Sequence, residues 1–140
     1  MNVIKKNRQY GRNLGKNTRY YNVSTSMLQE RKEAREATKD NRIFRISFFD
    51  NVSDLFGGKT SDGKQFLYVG YDDTKLYFYG CDDGEGWAVN HPSGKGSYAT
   101  CTFTLKKKHI KGMEQFANGH FELFHDEENN LYFIDSKLKF

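Results

Sequence analysis

The chain has 140 residues, 29% of them charged and 36% hydrophobic, with 22 basic and 18 acidic side chains and a formal net charge of +4. That length suits one domain burying about two-thirds of its unfolded surface, and no apolar run approaches the roughly 20 residues of a membrane span, so no membrane partner is expected. The start, MNVIKKNRQYGRN, lacks the apolar stretch of a secretory signal, and Cys81 and Cys101 belong to no CxxC pair, so a cytoplasmic protein with buried free thiols is expected.

Charge is spread unevenly. All seven arginines lie in the first 45 residues, where five lysines bring the basic count to 12 against four acids, a segment charge of +8. The other 95 residues carry ten lysines and fourteen acids, or −4. This asymmetry predicts a basic arm joined to a folded body. Residues 1–23, with Gly11, Gly15, five Asn and few aliphatics, bury too little surface to offset ordering entropy and are expected as a flexible arm. Tyr10, Tyr20 and Tyr21 alternate there with Arg8, Arg12 and Arg19. Guanidinium forks match phosphate geometry and tyrosine rings stack on bases, a mixture suited to single-stranded nucleic acid or structured RNA. A solubilising tail, or an arm lying on an acidic protein surface, is the alternative.

Residues 24–40 carry helix signals: Ser26 with Gln29 three positions on resembles a capping box, and helix formers continue to Lys39. A spacing of four places Arg31, Arg35 and Lys39 on one face, extending the arm's footprint or simply facing solvent.

From residue 41 to 140 the pattern alternates. Strands are predicted over 43–49, 65–71, 75–81, 86–91, 97–105, 120–125 and 131–140, with a helix at 109–119. The fold class is α+β, mainly antiparallel β: a small curled sheet, barrel- or sandwich-like, of about six or seven strands with one or two helices. A tight turn at Asp73 and Thr74 pairs Tyr71 with Leu76, Val69 with Phe78 and Tyr68 with Tyr79. One face then holds Leu67, Val69, Tyr71, Leu76 and Phe78 as core. The other holds Phe66, Tyr68, Tyr77 and Tyr79, which either lie exposed or pack beneath a second sheet or the 109–119 helix.

The stretch GKQFLYVGY, with Lys64, Phe66, Tyr68, Val69 and Tyr71, resembles the consensus of single-strand RNA-binding sheets, Lys/Arg-Gly-aromatic-Gly/Ala-aromatic-Val-x-aromatic. The resemblance covers eight residues and implies that Phe66 and Tyr68 stack bases. Gln65 and Leu67 stand where the consensus has small residues, and one strand precedes the motif instead of strand–helix–strand; an oligonucleotide-binding barrel fits the strand order better.

Candidate chemistry elsewhere is thin. Cys81, His91, Cys101 and His109 lack the close pairs of a structural zinc site. A hairpin turning at 127–130 sets Phe124 opposite Phe133 and Glu122 opposite Asp135, gathering His120, Glu122, Asp135 and Lys137 on one face, an array similar to half of a magnesium nuclease. No catalytic residue, metal or cofactor is expected. The expected function is a non-enzymatic nucleic-acid-binding accessory protein, binding single strands or RNA rather than duplex through Arg8, Arg12, Arg19, Tyr20, Arg31, Arg35, Lys64, Phe66, Tyr68, Tyr77 and Tyr79. The composition, with 15 Lys, 12 Phe, 11 Asn and one Pro, is that of AT-rich coding and resembles small accessory proteins of AT-rich bacteriophages. A protein-binding module, such as a phage inhibitor of a host protein or a small virion component, is the alternative, and a metal-dependent nuclease a distant one.

Overall fold

The computed structural model describes residues 20–29, 40–81, 85–92 and 98–140. Nine strands form one antiparallel sheet: β1 (Val23–Gln29), β2 (Arg42–Phe48), β3 (Gln65–Tyr71), β4 (Lys75–Gly80), β5 (Trp87–Asn90), β6 (Ala99–Leu105), β7 (His120–Phe121), β8 (Phe124–Asp126) and β9 (Leu131–Asp135). Their order is β7-β1-β2-β6-β5-β3-β4-β9-β8. The first and last strands of that order, β7 and β8, are separated in the chain only by Glu122 and Leu123. The sheet therefore curls back toward itself, because its two edges belong to one short stretch of backbone.

Curling gives every strand an inside. Side chains alternate across a strand, so one residue in two points to the enclosed side. Phe44, Ile46 and Phe48 of β2, Leu67 of β3, Leu76 and Phe78 of β4, Cys101, Phe103 and Leu105 of β6, Phe121 of β7 and Ile134 of β9 are all buried there. Phe48, Phe56 and Phe78 meet edge-to-face or tilted at 5.1–5.8 Å between centroids, the arrangement that aligns ring edges with ring faces. Burial pushes the Cys101 thiol up to about 12.

One end of the enclosed space is covered by α1 (Lys107–Met113) and the 3-10 turn that continues it, Glu114–Phe116, through buried Met113 and Phe116. Toward the other end lies the 3-10 turn Val52–Phe56. Gln65, 1% exposed, holds that turn: its amide donates to the carbonyls of Ser53 and Gly57, each at 2.8 Å, and its Oε1 accepts from His91 Nε2 at 2.8 Å. Gly58 and Gly80 pass backbone to backbone here. A Cβ on Gly80 would sit 2.4 Å from the Gly58 nitrogen, so only glycine allows the approach.

Several expectations change. The strand count is nine, not six or seven: β1 is additional, and the strand expected over 120–125 breaks into β7 and β8. Residues 24–29, expected as the start of a helix, lie in β1, paired over seven residues with β2 from Val23↔Phe48 to Gln29↔Arg42. Pairing along a whole strand with Val23 fully buried outweighs a local capping signal. Residues 30–39, the rest of that expected helix, and 1–19, most of the expected arm, lie outside the described residues. Among the described residues α1 is the one α-helix, at 107–113 where 109–119 was expected. The expected pairings Tyr71↔Leu76, Val69↔Phe78, Tyr68↔Tyr79 and Phe124↔Phe133 all occur.

Residues 22 and 23, placed in the arm by composition, belong to the sheet. The Asn22 backbone donates to Phe121 O at 3.0 Å and accepts from Phe49 N at 2.8 Å, and its side-chain carbonyl accepts from Leu123 N at 2.8 Å. Asn22 thus fills the gap in the ladder where the chain passes from β7 to β8. Asn22→Ala leaves the Leu123 N–H without its acceptor, at a cost of about 1–3 kcal/mol, and lowers the melting temperature by roughly 3–9 °C. An unchanged melting curve contradicts the assignment.

Candidate nucleic-acid interface

The most open feature of the sheet arises from a length mismatch. β5 has four residues; it pairs with β3 only over Gln65–Leu67 and with β6 only through Val89 and Asn90. Gly86 ends this pairing, passing so close to Leu67 that a Cβ there would lie 2.5 Å from the Leu67 carbonyl. β3 runs on to Tyr71 and β6 to Leu105 with no described strand between them. The space between becomes a groove of about 800 Å³, lined by Val69, Tyr71, Trp87, Phe103, Leu105 and Met113, with Lys106, Lys108 and His109 at its rim.

Register sets which side chains enter the groove. Trp87 pairs with Leu67, so it shares the inward face, and its indole stacks on Phe103 with centroids 5.4 Å apart and planes 28° apart. Phe103 stacks in turn on Phe44 at 5.6 Å and 27°. Across the groove Tyr71 shares a 2.7 Å hydrogen bond with His109 Nδ1, and its ring meets the imidazole edge-on at 5.6 Å. Gly112 of α1 makes room for that ring.

The rim is basic. Lys106 and Lys108 at the groove and Lys107 and Lys111 on the adjoining face of α1 are all exposed, and among the described residues no carboxylate lines the groove. Lys107 pairs with Asp40 at 3.6 Å, an exposed contact of small energy. Arg42 stands with Lys107 and Lys111 in a neighbouring depression that Asp40 and Glu114 also line.

The residues expected to form the site lie elsewhere. Arg8, Arg12, Arg19, Arg31 and Arg35 are outside the described residues; Tyr20 is half-buried. Lys64 is exposed in the turn before β3, 4.0 Å from Asp62. Phe66, Tyr68, Tyr77 and Tyr79 share the outer face of β3 and β4, where Tyr79 is 44% exposed, the others are half-buried, and Tyr68 and Tyr79 rings lie 5.2 Å apart. No second sheet covers this face among the described residues. Its phenols donate to carboxylates, Tyr77 to Asp72 at 2.9 Å and Tyr68 to Glu85 at 3.2 Å. Asp72 is held below the usual carboxylate range by the N–H groups of Thr74 and Lys75 and stays charged, while burial and then Asp72 push the Tyr77 phenol up. A negative edge is a poor neighbour for phosphates.

The hairpin cluster is not assembled. Glu122 lies in the break between β7 and β8, and Asp135 pairs with Lys75 while its carboxylate accepts from Lys137 N. Among the described residues no group of three His, Cys, Asp or Glu is placed to hold a metal. The cysteine–histidine set is also dispersed in its bonding, His91 to Gln65 and His109 to Tyr71. Among the described residues no helix is long and apolar enough to cross a membrane.

Compared with protein-family models, characterised proteins and solved structures, the chain matches none. The groove therefore stands on its own chemistry. Sequence reasoning passed over Trp87, Phe103, Lys106 and Lys108. The run LKKKHIK directly after an alternating strand, and the single tryptophan in GWAVNH, were visible signals; the shortness of β5 that brings them together had none.

Gly112→Ala tests the groove wall. Alanine favours a helix by about 1 kcal/mol over glycine, and loss of the Tyr71–His109 hydrogen bond costs about as much. Its Cβ would fall 2.6 Å from Tyr71 Cε2, so the half-exposed ring must swing away. Stability should stay within about 1 kcal/mol of the parent while nuclear Overhauser contacts between Tyr71 and His109 vanish; persistence of those contacts contradicts this packing.

Proposed function

We propose that the protein is a non-enzymatic nucleic-acid-binding protein that takes single strands or RNA in preference to duplex. The observation that carries the reading is a groove walled by aromatic rings with exposed Lys106 and Lys108 at its mouth, and Lys107 and Lys111 exposed on the adjoining face of α1. Lysines supply phosphate attraction; flat apolar walls accept bases only where these are unpaired. The +8 charge of the first 45 residues adds a second source of phosphate contacts. An accessory role in a bacteriophage remains part of the proposal on composition alone.

A protein-binding module is the second reading. The carboxylate-edged aromatic face favours it, since exposed Tyr79 and half-buried Tyr68 and Tyr77 beside Glu85 and Asp72 suit a protein surface better than a phosphate backbone.

Counterion release separates the readings. Affinity for an oligonucleotide should fall with salt at a log–log slope of about −0.7 per phosphate contact on single strands. Replacing Lys106, Lys108 and Lys111 together by Ala should flatten the slope by about 2, and replacing Arg8, Arg12 and Arg19 together should flatten it by a similar amount. Magnesium should not bring about cleavage of the oligonucleotide. A folded protein with no affinity for DNA or RNA at low salt overturns the reading in favour of a protein partner.

A further inference from the structure

We infer that the groove between β3 and β6 is a pocket for one unpaired nucleobase carrying a phosphate, an inference that rests on the nucleic-acid reading above and assigns its base-recognition site. Three rings form a column from core to surface: Phe44 is fully buried, Phe103 is 7% exposed and Trp87 is 44% exposed. The column ends on an indole with no further ring on it among the described residues. Trp87 and Phe103 both line the groove, so a base entering it meets ring surface and removes exposed indole area from water.

Size and charge select the ligand. About 800 Å³ lies within the roughly 300–1,000 Å³ of ordinary ligand pockets. Lys106 and Lys108 at the mouth, with no carboxylate among the described lining residues, oppose a cationic guest, so an aromatic cage for an ammonium group does not fit. Val69, Leu105 and Met113 close the apolar sides, while Tyr71 is held from behind by His109. The guest is therefore flat and apolar in the groove and anionic at the rim, where Lys106 and Lys108 meet it. A base within a strand and a free nucleotide share this chemistry.

The only tryptophan of the chain stands in the pocket, so its fluorescence reports occupancy directly. The full chain is titrated with adenosine monophosphate, ribose 5-phosphate, decanoate, a ten-residue oligodeoxyadenylate and an abasic oligonucleotide of equal length. Quenching by adenosine monophosphate and oligodeoxyadenylate, with none by ribose 5-phosphate or the abasic strand, is the expected result. Trp87→Ala should weaken oligodeoxyadenylate binding, read by anisotropy of a labelled strand, roughly 5- to 100-fold without altering its salt slope, and Trp87→Phe should restore part of the loss. Quenching by the mononucleotide alone keeps the pocket, assigns it to free nucleotides and removes the polymer reading. Strand binding with unmoved Trp87 fluorescence and an unaffected Trp87→Ala variant overturns the pocket and leaves the polymer reading intact. Equal quenching by ribose 5-phosphate, or tighter quenching by decanoate, overturns it in favour of a bare anion site or an apolar-anion site. Absence of binding by every probe overturns both.

Discussion

The structure depends on one covalent constraint: both edges of the sheet, β7 and β8, are carried by residues 120–126. A flat nine-stranded sheet would hold its edge strands far apart at about 4.8 Å per strand, whereas the two-residue link allows them only about 10 Å. Curling is the only solution, and it dictates the rest. It makes one face of every strand an interior and requires large rings to fill it, hence the Phe44, Phe48, Phe78 and Phe121 core. It also creates a flaw at the link itself, where Leu123 leaves the ladder and Asn22 supplies the missing acceptor. The C-terminal residue reinforces the same seam, with Phe140 N donating to His120 O at 2.9 Å.

Inside the sheet, away from its β7 and β8 edges, the shortest strand is β5, and the groove is the consequence of its shortness. Charge distinguishes the two aromatic surfaces. Exposed ion pairs add little stability, so the run from Lys106 to Lys111, with only Lys107 paired among the described residues, contributes little to holding the fold. Those cations instead make one end of the molecule attractive to polyanions. The outer tyrosines sit beside the carboxylates of Asp72 and Glu85, which make that face less attractive to polyanions. Aromatic content alone does not choose between the two faces; the neighbouring charges do.

Much of the fold was legible because it is local. Strict alternation located strands β2 to β6, and the two-residue turn at Asp73 and Thr74 set the β3–β4 register correctly. β1 was hidden because Ser26, Gln29 and the helix formers after them present a helix start, and only pairing with a strand some twenty residues away decides otherwise. The break at Glu122 was equally invisible, since β7 and β8 read as one alternating run whose two halves take different partners. Gln65 shows the limit of motif matching. It interrupts the resemblance to the RNA-binding consensus because it serves as a buried hydrogen-bonding centre for the Val52–Phe56 turn. The groove residues come from β3, β5, β6 and α1, and no pattern within any one of them announces the gap they surround.

Photocrosslinking of the full chain to a single strand bearing 4-thiothymidine, with the attached peptides identified by mass spectrometry, locates the bound strand directly. Binding in the groove places the attachments at Trp87 or Tyr71 and in the peptides spanning Lys106–Lys111. Crosslinks confined to Tyr79, Phe133 and their neighbours on the outer face would contradict it.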